Sequence, residues 1–195
     1  MKKQEKSKSK EIEEAASILK NGGIIIFPTD TVYGIGCRSD NPSAINRLYH
    51  IKGTPKDQPF PILVSNTDQV AKLAKINNNA EKLMAKYWPG ALTIILRSKK
   101  GASKIGFRMP DSNLVQSLID KIGVPIIGTS ANFHGKNTPS SFEELDPQFI
   151  KLADFTVKGK CQKGIESTVV DTTINPPKII RQGAVDINSI NQLTD

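Results

Sequence analysis

Residues 24–36, IIIFPTDTVYGIG, begin with four consecutive bulky apolar residues and end in two threonines, an aspartate, a tyrosine and two glycines. An apolar run of this length, preceded by Gly22 and Gly23, reads as a buried strand, because nothing in it alternates between two faces. Thr29, Asp30, Thr31 and Tyr33 stand where the chain leaves the interior. A strand end that opens onto a pocket has this arrangement, and open α/β sheets bind ligands at such ends.

Working outward, residues 11–20 carry Ile12, Ala15, Ala16 and Leu19 on one helical face, and Asn21, Gly22 and Gly23 stop that helix. Asn41, Pro42 and Ser43 start a helix with Ile45, Leu48 and Tyr49 spaced for burial, and its end near Gly53 leaves Lys52 at the C-terminal mouth. Residues 61–64 read as a short strand, 66–74 and 80–87 as helices, Trp88, Pro89 and Gly90 as a turn, and 92–96 and 105–109 as strands. Asp111 or Ser112 caps a helix bearing Leu114, Val115, Leu118, Ile119 and Ile122, closed by Gly123. Residues 124–127 form a buried-type strand running into Gly-Thr-Ser-Ala-Asn. Ser141 and Glu144 have capping-box spacing, and further strands are expected at 155–157, 167–170 and 178–180. Helices and strands alternate throughout without a repeat or a long linker. The expectation is a single α/β domain built on a twisted, mixed sheet flanked by helices.

With 195 residues, 37% of them hydrophobic, the chain can bury one sizeable core. No apolar stretch approaches the roughly 20 residues that cross a bilayer, and no apolar segment follows the charged N-terminus, so a cytoplasmic protein without a membrane partner is expected. Cys37 and Cys161 form no metal or redox pattern and read as inert packing or rim residues. Of the net charge of +8, residues 1–10 supply half, with five lysines against one glutamate. These residues read as a flexible basic arm ahead of a domain over 11–195, able to add weak, salt-sensitive attraction to tRNA or other RNA.

No phosphate-loop signature and no HExxH or Cys/His ligand cluster is present, and no metal-binding residues are expected. His50 and His134 stand alone and are left out of the site. What remains are polar clusters that each follow or open a strand: Thr29 to Tyr33, Arg108 in FRMPD, Thr129, Ser130 and Asn132, and Glu166, Ser167 and Thr168. Each alone reads as a turn or a helix cap. Together with Lys52 and Arg181 they offer donors and positive charge but no nucleophile and base pair, which suits a polyanionic ligand whose reaction is driven by orientation and charge stabilisation. Arg108 can hold a carboxylate through two parallel hydrogen bonds.

FPTDTVYGIG, KGTP, WPGALT, FRMPD, TSAN and IESTVVD occur in the order found in the YrdC/TsaC-like threonylcarbamoyl-AMP synthase family, which residues 22–183 resemble in its short form. The resemblance implies a YrdC-like domain and a nucleotidyltransferase that makes threonylcarbamoyl-AMP and pyrophosphate from L-threonine, bicarbonate and ATP. Other proteins then transfer the threonylcarbamoyl group to an adenosine of ANN-reading tRNAs. It further implies that Thr31, Arg108, Gly128 and Ser167 contact L-threonine. Lys52, Thr54, Gln58, Lys104, Ser130, Asn132, Thr138 and Arg181 would surround ATP with its Mg2+, and Lys52, Arg108 and Ser130 are the candidate catalytic groups. Asp30 and Tyr33 would shape the threonine pocket.

One position departs from the family. Most relatives have KxR before a proline, with the arginine on ATP, whereas this chain has Lys52, Gly53, Thr54 and Pro55. Either Lys56, Lys104 or another cation substitutes for it, or nucleotide affinity is lower, or the chain belongs to a subgroup with altered activity. The competing readings are a carbamoyl-adenylate-forming or transferring enzyme and a non-catalytic RNA-binding module.

Overall fold

A computed structural model describes the backbone of residues 2–194 and the side chains of residues 9–193. The first half of the chain forms α1 (Lys2–Lys20), β1 (Ile25–Pro28), β2 (Tyr33–Arg38), α2 (Pro42–Lys52), β3 (Ile62–Leu63), α3 (Thr67–Leu73), β4 (Ala74–Lys75), α4 (Asn78–Tyr87) and β5 (Leu92–Ser98). The second half forms β6 (Lys104–Arg108), α5 (Asn113–Ile122), β7 (Ile126–Ser130), α6 (Pro147–Ile150), β8 (Phe155–Thr156), β9 (Thr168–Asp171), β10 (Lys178–Arg181) and α7 (Ile187–Thr194). The strands make one ten-stranded sheet in the order β10-β9-β5-β6-β3-β7-β2-β1-β8, with β4 beside β5. It is mixed: β5 pairs β9, β3 pairs β6 and β1 pairs β8 in parallel, and the other neighbours are antiparallel.

The opening apolar run does not alternate because both of its faces are covered. Ile25 and Phe27 pack with Ala15, Ala16 and Leu19 of α1 and Val115, Leu118 and Ile119 of α5. Ile24 and Ile26 turn the other way, toward Leu48 and Ile51 of α2 and Phe149 of α6. Burying a side chain of this size contributes about 1.5–3 kcal/mol, so the four residues anchor two helical layers to one strand.

The same stretch then returns as β2, a strand the sequence did not announce. Ile25 faces Gly36 and Pro28 faces Tyr33 in a hairpin whose turn is residues 29–32. Gly36 also lies opposite Gly128 of β7, and a Cβ on it would fall 2.4 Å from the Ile127 carbonyl oxygen. The close approach that requires glycine here is also what hid the strand, because glycine reads as a break.

On the β5, β6 and β9 side the layers are unequal. Leu92, Ile94, Leu96, Phe107 and Val170 point into a core completed by Leu83 and Met84 of α4 and Ile190 of α7. Their neighbours Thr93, Ile95, Gly106, Arg108 and Val169 face the opposite way and line a cavity.

Helix starts and stops largely follow the sequence reading. The Asn41 side chain accepts from the Ala44 amide at 3.1 Å, and Ser112 caps α5, which Gly123 closes. Three expectations need correction. Helix α1 continues back to Lys2, so residue 10 is not a backbone boundary between an arm and a domain; Met1 and the side chains of residues 2–8 lie outside the described residues. No helix starts at Ser141: Glu144 instead accepts from the Ser140 amide at 2.7 Å, and the short α6 is capped by Asp146. Strand β7 does not stop at 127 but runs to Ser130, pairing with the whole of β2.

Candidate active site

The uncovered face of β5, β6 and β9, the hairpin turn at 29–32 and the end of β7 enclose a cavity of about 610 Å3. Its floor is set by strand parity. Arg108, the last residue of β6, is buried at one end of that floor, and its Nε donates to the Gly90 carbonyl at 3.0 Å. Its Nη1 donates to Thr31 Oγ1 at 2.8 Å, and its Nη2 to the carboxylate of Asp30. The Thr31 hydroxyl lies 2.9 Å from Thr29 Oγ1, which donates to the Val32 carbonyl at 2.8 Å and accepts from the Thr31 amide. The turn is therefore folded around the guanidinium. Burial lowers the Arg108 pKa while the Asp30 carboxylate opposes the shift, and an arginine remains charged under both influences. Asp30 Oδ2 is buried without a hydrogen-bond partner.

The other cations of this lobe are also matched. Lys104 Nζ lies 2.7 Å from Asp171 Oδ2, and Arg181 Nη1 lies 2.9 Å from Glu166 Oε2. Burial alone would raise the Asp171 pKa, but donation from Lys104 and Thr173 outweighs it and holds the carboxyl below its usual value. Ser167 Oγ and Thr93 Oγ1 are 2.8 Å apart, and Arg181 Nη2 reaches both the carbonyl and the hydroxyl of Ser167 at 3.0 and 3.3 Å.

A second, polar hollow of about 380 Å3 adjoins the first, lined by Lys52, Thr54, Asn132, His134, Lys136 and Thr138 among others. Gln58, Ser130, Glu166 and Arg181 line both, so the two form one cleft with two lobes. Lys52, at the end of α2, is only 4% exposed. Its Nζ donates to the Ser130 carbonyl at 2.7 Å, the Asn132 carbonyl at 2.5 Å and Asn132 Oδ1 at 2.9 Å. All three ammonium hydrogens are thereby committed to the loop that follows β7. Burial lowers the Lys52 pKa to about 8, with Glu166 acting in the opposite direction. Ser130 Oγ donates to Asn132 Oδ1 at 2.6 Å, and Asn132 Nδ2 to the Lys136 carbonyl, which closes the loop on itself.

Every expected site residue lines one of the two lobes. Thr31, Arg108, Gly128, Ser167 and Lys104 belong to the larger, Lys52, Thr54, Asn132 and Thr138 to the polar one, and Gln58, Ser130 and Arg181 to both. Of the two lysines named as substitutes for the missing arginine, Lys104 is paired on the larger floor and Lys56, bonded to Asn46, lines neither lobe. The cations that share the polar lobe with Thr54 are Lys52, Lys136 and Arg181, and His134, which had been set aside, also lines it. Thr93 was also missed; its signal was the alternation Leu92, Thr93, Ile94 within WPGALT. Burial pushes the Cys37 thiol up to about 12 and raises that of Cys161, in keeping with packing roles. Among the described residues no group of three or more His, Cys, Asp or Glu could hold a resident metal ion, and no helix is long and apolar enough to cross a membrane.

Residues 17–183 match the Sua5/yciO/yrdC family model, described as telomere recombination. A threonylcarbamoyl-AMP synthase of Pyrococcus abyssi is 33% identical over 92% of this chain and 56% of its own length. The structure of P. abyssi Sua5 complexed with L-threonine superposes with a TM-score of 0.88, at 32% identity over 93% of this chain and 56% of that one. A chain of Methanocaldococcus jannaschii, provisionally named threonylcarbamoyl-AMP synthase, is 33% identical over 95% of this chain and 92% of its own. Escherichia coli YciO superposes with a TM-score of 0.82, at 28% identity over 92% of each chain. The chain thus spans about half the length of the first curated relatives it matches.

Proposed function

The chain belongs to the Sua5/YciO/YrdC family, and from that premise we propose that it is a nucleotidyltransferase that forms threonylcarbamoyl-AMP and pyrophosphate from L-threonine, bicarbonate and ATP, supplying the activated group for tRNA modification. The observation that carries the reading is the contrast between adjoining lobes. In the larger, Arg108 and Lys104 are each balanced by a protein carboxylate, which suits a zwitterion; in the polar one, Lys52 and Lys136 form no ion pair among the described residues, which suits phosphates; the Arg181–Glu166 pair lines both.

Arg108 donates three of its five N–H groups to Gly90, Thr31 and Asp30, which leaves one on each terminal nitrogen for the threonine carboxylate. Ser167 and Thr93 offer hydroxyls to the ligand's own hydroxyl. The bound ammonium gives up a proton to solvent, and the free amine takes up the carbon of bicarbonate with loss of water. A carbamate oxygen then attacks the α-phosphorus of ATP, and pyrophosphate leaves. Ser130, at the junction, serves both halves, and Lys52 acts by fixing the Ser130–Asn132 loop against the phosphates. Mg2+ enters with the ATP, on its phosphate oxygens. No protein nucleophile is needed, because positioning and charge stabilisation supply the catalysis.

Pyrophosphate release, measured with L-threonine, bicarbonate or Mg2+ omitted in turn, tests the reading. Release is expected only when all are present. Release that ignores threonine and proceeds with carbamoyl phosphate would favour a carbamoyl-adenylate enzyme instead.

A further inference from the structure

Among the described residues Glu166 is the one carboxylate that lines the cleft, and it lines both lobes. Its main chain is clamped: its carbonyl accepts from the Ala184 amide at 2.9 Å, and a Cβ on Gly183 would fall 2.3 Å from that same oxygen. Its side chain is held only by Arg181 at 2.9 Å and, more weakly, by Thr138 at 3.4 Å. The ion pair is open to solvent, with the two side chains 44% and 33% exposed, so exchanging its partner costs little. Arg181 helps to lower the Arg108 pKa and Glu166 works to raise that of Lys52, so each member of the pair acts on one of the two buried cations.

An α-amino acid whose carboxylate is on Arg108 brings an ammonium into this cleft, and among the described residues Glu166 is the only lining group of opposite charge. We infer that Glu166 is the ammonium receptor, and that the amino acid, by taking Glu166 from Arg181, releases that guanidinium toward the phosphates of the nucleotide in the adjoining lobe. The inference rests on the amino-acid and nucleotide reading of the cleft and adds to it a selectivity residue and a direction of coupling. Binding of the amino acid tightens binding of the nucleotide, and by linkage the reverse holds equally.

Calorimetry on the full chain tests this with three probes: L-threonine, 2,3-dihydroxybutyrate, which replaces the amine by a hydroxyl and keeps the carboxylate, and a non-hydrolysable ATP analogue with Mg2+. The wild type should prefer threonine, and threonine but not the hydroxy acid should tighten the ATP analogue severalfold. Glu166→Gln should weaken threonine by about tenfold, the scale of one charge-assisted hydrogen bond, leave the hydroxy acid unchanged and abolish the coupling. Arg181→Gln should keep threonine binding and also lose the coupling. Equal weakening of threonine and the hydroxy acid in Glu166→Gln, or undiminished preference and coupling, would overturn the inference and leave the proposed activity standing. A wild type that binds neither threonine nor the ATP analogue would overturn both.

Discussion

The two lobes of the cleft handle positive charge in different ways. On the larger floor Arg108 meets Asp30, Lys104 meets Asp171 and Arg181 meets Glu166, whereas in the polar lobe Lys52 gives its hydrogens to neutral oxygens and Lys136 has no carboxylate partner among the described residues. A matched floor recognises a ligand by directed hydrogen bonds. An unmatched one attracts net negative charge. On the proposed reading, this difference lets a single cleft separate an amino acid from a triphosphate.

The strongest way to break the contrast is to remove one member of the buried pair. Arg108→Ala leaves the Asp30 carboxylate buried and unpaired, and should cost about 3–5 kcal/mol of stability in urea unfolding as well as threonine binding. Arg108→Lys should restore part of the stability and little of the binding, since an ammonium lacks the fork. A stable Arg108→Ala protein would show that the larger floor does not depend on matched charge.

The polar lobe is expected to respond to pH instead. The folded pKa of Lys52 is depressed, to about 8, so between that value and the ordinary lysine range the unfolded chain binds more protons and stability rises with pH. Relative to Lys52→Met, the wild type should gain about 2 kcal/mol between pH 7 and about 9.5, which thermal or denaturant unfolding can follow. Affinity for the ATP analogue should move in the opposite direction, because a neutral amine has two hydrogens for three acceptors. A flat difference across this range would mean that the Lys52 charge is solvated.

A smaller effect sharpens the comparison at Thr54. If the lobe attracts phosphate by net charge, Thr54→Arg should tighten the ATP analogue by about 1 kcal/mol, and Lys136→Ala should weaken it by a similar amount. Titration of the double variant would show whether the two cations are interchangeable. Smallest of all, Thr93→Val removes one hydroxyl from the Thr93–Ser167 pair and should lower threonine affinity by about 0.5–1 kcal/mol while leaving the nucleotide unaffected.

Much of this could be read from the chain alone, for identifiable reasons. Asn41, Ser112 and Gly123 announce helix ends through local hydrogen bonding, which a sequence carries in full. The motif clusters mark the site because each supplies hydroxyls or cations at a strand end. Strand β2 was hidden because Gly34 and Gly36 answer to Phe27 and the Ile127 carbonyl, contacts with other strands that no local pattern records. The commitment of Lys52 to protein oxygens was hidden for a similar reason. A lysine at a helix mouth looks free to reach a ligand, and only the fold shows its hydrogens committed to residues 78 and 80 positions away. The Arg108–Asp30 pair of the larger floor is equally non-local, its members 78 positions apart.

Strand parity on the cavity floor bears on how this protein can change. Along β5 and β9, a residue that packs against α4 or α7 is followed by one that faces the cavity, so adjacent codons answer to different selective pressures. In a saturation scan scored separately for abundance and for complementation of a synthase-deficient strain, Leu92, Ile94 and Val170 should lose abundance on polar substitution, whereas Thr93, Ile95 and Val169 should keep abundance and lose complementation. The protein could therefore acquire a new amino-acid preference through single-residue steps on the floor, at positions where variants still accumulate as folded chains.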